Sequence, residues 1–84
     1  MDRYFFDIVD GKDFPDLQGS EWPTLTAARI EAVRYAAEVL KEMPDRFWNC
    51  EEWIMTVSNY RRRPIFTLKF IAETVPKEPP QILL

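Results

Sequence analysis

Histidine is absent from this 84-residue chain, cysteine occurs once and glycine only twice. Without histidine the chain lacks the side chain most often used as a general base near neutral pH, and the commonest metal ligand. With Cys50 alone, neither a zinc site of the Cys/His kind nor an intramolecular disulfide can form within one chain. Cys50 lies beside a predicted strand start and reads as a small packing residue, because a reactive thiol needs an electropositive, accessible setting. Gly11 and Gly19 are too few for a phosphate-cradling loop, and there is no Gly-x-Ser-x-Gly elbow. No apolar run approaches the ~18 residues of a membrane span, and no secretory signal precedes the first strand. These absences point to a cytoplasmic protein that is not an enzyme and holds neither cofactor nor metal.

What is present is apolar. Hydrophobic residues make up 46% of the chain, with three Trp and six Phe, far too much for intrinsic disorder. The length suits one small domain near the lower limit of what a single core stabilises. The domain is expected over residues 1–75, followed by a Pro-rich, flexible tail over 76–84 that ends Ile82-Leu83-Leu84. The net charge of −3 is unevenly placed: residues 1–23 hold six acids against two bases, residues 24–84 eight acids against nine bases. A globally acidic chain is a poor match for nucleic acid unless a local patch overrides it.

Residues 3–9 alternate, with Tyr4, Phe6 and Ile8 on one face and Arg3, Phe5, Asp7 and Val9 on the other. Asp10-Gly11 is a turn dipeptide, since Gly accepts positive φ. A short return strand is expected around Asp13–Gln18, demoted to an edge by Pro15 and broken at Gly19. Thr24 can cap a helix whose stripe is Leu25, Ala28, Ala32, Ala36, Val39, Leu40 and Met43, flanked by Val33 and Tyr35. The alanines bring the helix backbone close to a sheet, and Pro44 stops the helix. Residues 45–50 read as a loop that tucks Phe47 and Trp48 under the helix end. A strand to Ser58 follows, then a turn over Asn59–Arg63 and a strand over Pro64–Ile71. The order β-β-α-β-β describes an α+β fold: a small antiparallel sheet with one amphipathic helix packed on one face.

Several stretches resemble a family of short alphaproteobacterial proteins classed as a domain of unknown function. They are Arg3-Tyr4-Phe5-Phe6-Asp7-Ile8, Asp10-Gly11, Asp16 with Gly19, Ala27-Ala28-Arg29, Glu31-Ala32 and Arg63-Pro64-Ile65-Phe66. The likeness spans roughly residues 3–70. Two features depart from that pattern: the turn Asn59-Tyr60-Arg61-Arg62-Arg63 is basic where the family has an acidic, Gly-containing one, and the Pro-rich tail is extra. The resemblance implies no activity, substrate or catalytic residue.

Asp7, Asp10, Asp13 and Asp16 recur every third residue, yet they do not supply the ligand positions of a calcium loop. They read as turn-forming and backbone-bonding residues. Tyr60 with Arg61, Arg62 and Arg63 forms the best polar cluster. A basic hairpin tip beside an aromatic ring could contact phosphates and stack on a base. The plainer reading is a solvated turn, with Arg63 paired to an acid on the neighbouring strand.

One helix covers one sheet face, so Phe5, Val9, Ile54, Ile65 and Ile71 are left on the other. That face is either a partner surface or an ordinary half-polar sheet face. The leading expectation is a protein-protein interaction module that associates through its sheet face, most simply as a homodimer. The alternatives are a nucleic-acid-associated protein using residues 60–63, and an antitoxin-like partner of a toxin encoded beside it.

Overall fold

The structure, a computed structural model, describes residues 1–76. Strand β1 (Asp2–Val9) lies at the heart of an antiparallel sheet. Its alternation works as the sequence implies: Tyr4, Phe6 and Ile8 are buried, whereas Phe5 and Asp7 are only half-buried on the opposite face. The chain turns at Asp10-Gly11, with Gly11 at φ +93°. It then returns along β1 in two pieces, β2 (Asp13–Phe14) and β3 (Ser20–Trp22).

The expected single return strand over Asp13–Gln18 is therefore corrected. Ile8 pairs with Phe14 and Tyr4 with Ser20, a change of register that leaves two extra residues between the pieces. Pro15 cannot donate to the ladder, and the Asp16 carboxylate takes over at the gap. Its Oδ2 accepts the Phe6 N–H at 3.1 Å, and its Oδ1 accepts the Gly19 N–H at 2.9 Å. Gly19, at φ +70°, returns the chain to the ladder. An added Cβ there would lie 2.7 Å from the Tyr4 carbonyl oxygen and 2.9 Å from the Phe5 ring.

Helix α1 (Leu25–Glu42) is capped by Thr24, whose Oγ1 accepts the Ala27 N–H at 3.0 Å. Ala28, Ala32 and Ala36 are buried against the sheet, and the small side chains allow the close approach. Residues 45–50, expected to be a loop, instead belong to a second helix, α2 (Pro44–Cys50). Pro44 ends α1 and also starts α2: its fixed φ suits the first helical position, where no N–H donor is needed. Asp45 adds a favourable charge in that first turn. Glu51 closes α2 in the left-handed region at φ 58°, its N–H donating to the Phe47 carbonyl. Phe47 packs against the core, whereas Trp48 is exposed rather than tucked away.

Strands β4 (Glu52–Ser58) and β5 (Pro64–Ile71) complete the sheet in the order β2-β1-β4-β5, with β3 also on β1. Trp53, Met55 and Val57 of β4 are completely enclosed, each contributing roughly 1.5–3 kcal/mol from burial. The fold is α+β as expected, with two helices instead of one. Except for Pro76, the expected tail over 76–84 lies outside the described residues.

Candidate functional site

The turn at Asn59–Arg63 is built by one side chain. Asn59 Oδ1 accepts the N–H groups of Arg61 and Arg63 at 2.9 and 3.1 Å. Arg62 sits in the left-handed region at φ 63°, and this conformation separates the three arginines. Arg61 folds along its neighbour, with Nε donating to Tyr60 Oη at 3.0 Å. Arg62 swings over the sheet's outer face. Its Nη1 lies 3.3 Å from both Asp7 carboxylate oxygens, and its Nη2 donates to the Asp16 carbonyl at 2.7 Å. The residue that pairs with an acid is thus Arg62, while Arg63 makes no ion pair among the described residues.

The recurring aspartates divide between two places. Asp7 Oδ1 accepts the Asp16 N–H at 2.7 Å, so these two belong to the Arg62 network. Asp10, 4% exposed, receives Arg46 through Nε at 2.6 Å and Nη2 at 3.2 Å. The hydrogen bond to Asp10 raises the Arg46 pKa above its ordinary value, so the guanidinium stays charged. Its Cζ also lies 5.0 Å from the centre of the Phe14 ring. Cys50 donates from Sγ to the Asp10 carbonyl at 2.8 Å. This Asp10–Arg46 centre escaped the sequence reading. Its one signal was Arg46 within a stretch that proved helical, 36 positions from its partner. Among the described residues, no group of three or more His, Cys, Asp or Glu is arranged to hold a metal ion.

Phe5, Val9, Ile54, Ile65 and Ile71 do not merge into one patch on the outer face. Val9 lies opposite Ile54, and Ile71 pairs with the next residue but one along β4. Phe5 lies at the other end, opposite Ser58 and beneath Arg62. Between the two groups runs the polar row Asp7–Thr56–Thr67. Ile65 and Ile71 are 42% and 57% exposed, while Ile54 is half-buried.

The more continuous apolar surface lies on the helix side of β5, the face that carries Leu68 and Phe70. Helix α1 covers β1 and β4 but leaves Phe70 48% exposed and Val33, on the facing helix flank, 60% exposed. Between them runs a groove of about 280 Å³, lined by Val33, Ala36, Ala37, Leu68, Lys69 and Phe70. The strand beside it has no neighbour on its outer side among the described residues.

A family model described as a domain of unknown function, DUF6894, matches residues 3–71. The chain belongs to the DUF6894 family. The match runs from the second residue of β1 to the last residue of β5, so all of the sheet except Asp2, and both helices, of this DUF6894 protein lie within it. No curated protein and no solved structure matches the chain.

Proposed function

We propose that this DUF6894 protein is a non-catalytic interaction module that binds protein partners through its sheet, with the contact centred on β5. The observation that carries this reading is a terminal strand left apolar on both faces, beside an edge with no neighbour among the described residues. Phe70 is exposed on the helix side, and Ile65 and Ile71 on the outer side. Monomers seldom leave such surface uncovered. A non-catalytic role is supported by the state of the polar groups. Asp10 and Asp16 are occupied by structural hydrogen bonds, and the single thiol donates to a carbonyl.

Site-specific photo-crosslinking in cells tests this reading. A benzophenone side chain placed at Ile71 is compared with one at Leu17, which is 80% exposed and lies between β2 and β3, the strands on the side of β1 away from β4 and β5. Discrete adducts from position 71, to another protein or to a second copy, and none from position 17, are expected. Equal labelling from both positions, or none from position 71, overturns the reading.

A further inference from the structure

We propose that the α1–β5 groove takes an extended acidic and apolar peptide segment, which adds to β5 as a further strand. This rests on the β5 contact proposed above and specifies the chemistry of the partner.

The backbone supplies the first part of the argument. Ala72 donates to the Glu51 carbonyl at 3.0 Å. By the two-residue alternation of an antiparallel ladder, the N–H groups of Phe70, Leu68 and Phe66 therefore also point to β4. Those of Ile71, Lys69 and Thr67 then face the edge that is open among the described residues, where an added strand would find a row of donors and acceptors running as far as the register irregularity opposite Val57 and Ser58. Alternate side chains of that strand would fall on the helix side, into the groove lined by Val33, Leu68 and Phe70.

Charge supplies the second part. On the helical wheel of α1, Arg29 falls beside Val33 on the flank toward β5, Arg34 and Lys41 lie on the side away from the sheet, and Glu31, Glu38 and Glu42 fall toward the opposite flank. Glu31 answers only Arg34, at 3.8 Å. The Arg29 guanidinium lies 5.9 Å from the centre of the Phe66 ring, which places it at the β5 side of the helix. Strand β5 itself bears Lys69 and no acid. The groove thus has an apolar floor, with Lys69 in its lining and Arg29 toward its Phe66 end as the basic groups beside it. A second copy joined edge to edge through β5 would set Lys69 and Arg29 of one chain near the same residues of the other, a like-charge contact. An acidic segment meets no such opposition.

The test is fluorescence anisotropy on the full chain, with a labelled peptide of about eight residues that alternates Glu with Ile, matching the length of an ordinary strand. A twin peptide carries Lys in place of every Glu. The acidic peptide is expected to bind in the range of about 10–100 µM and at least tenfold more tightly than its twin. Its affinity should fall severalfold between ~50 and ~500 mM salt. In the double variant Arg29→Glu, Lys69→Glu, with an unchanged circular dichroism spectrum, the preference should pass to the Lys peptide. Failure of the acidic peptide, equal binding of the two, or an unchanged preference in the double variant overturns the inference. If it is overturned while position 71 still crosslinks, the β5 contact stands and only the acidic partner is wrong; if both fail, the contact itself is wrong.

Discussion

The guanidinium carbon of Arg62 lies 3.7 Å from the centre of the Phe5 ring, stacking a turn residue on the strand two positions away in the sheet. The same group reaches Asp7 and the Asp16 carbonyl. One side chain thereby ties the β4–β5 turn to β1 and to the irregular return segment. The cost is a non-glycine residue held at φ 63°.

These two effects oppose each other, and two substitutions separate them. Arg62→Ala removes the contacts and keeps the strained φ. With a side chain 43% exposed, the ion pair and stacking together are worth about 1–2 kcal/mol after solvent screening. Arg62→Gly loses the same contacts but relieves roughly 1 kcal/mol of left-handed strain. The Gly variant should therefore be the more stable of the two in urea denaturation. An Ala variant equal to it would show that the turn carries no strain.

Asp16 holds the gap between β2 and β3 closed. Asp16→Ala leaves the Phe6 N–H without its acceptor inside the sheet and should cost about 1–3 kcal/mol. Asp16→Asn keeps one acceptor oxygen and should cost less. Hydrogen exchange gives the local readout: the Phe6 amide should lose protection in the Ala variant before the β4–β5 ladder does. Uniform loss across the sheet would contradict a local role.

Asp10 and Arg46 should respond unequally to removal. Asp10→Asn leaves a guanidinium that is one-third exposed and can turn toward water. Arg46→Met leaves a carboxylate only 5% exposed with its counter-charge gone, the costlier outcome for a buried ion pair. Thermal melts should show the larger fall for Arg46→Met, and adding Asp10→Asn to it should recover part of the loss. Equal falls, or no recovery, would mean that the pair is not coupled through charge.

Much of this architecture was legible in short-range pattern. The alternation of Tyr4, Phe6 and Ile8 gave the buried face of β1, and Thr24 with the alanine spacing gave the start and buried stripe of α1. The same reasoning misjudged Pro44, which both stops one helix and opens the next. It also named Arg63 as the residue paired with an acid, because sequence spacing does not reveal that position 62 adopts a left-handed turn conformation.

By itself the sequence determined which side chains share a face, where the turns fall, and that neither a histidine-based centre nor an intrachain disulfide can exist. Those are properties of period and composition, and they need no knowledge of neighbours. Tertiary structure alone decided that Asp10 meets Arg46 and that Arg62 reaches Asp7, contacts spanning 36 and 55 positions. It also decided that α1 leaves the Phe70 end of β5 uncovered, with Val33 and Phe70 exposed across a groove. The physical reason is strand order. Hairpin and helix signals are local, but the neighbours of β1 depend on how all the elements bury their apolar faces together, and that order sets which strand the single long helix fails to cover.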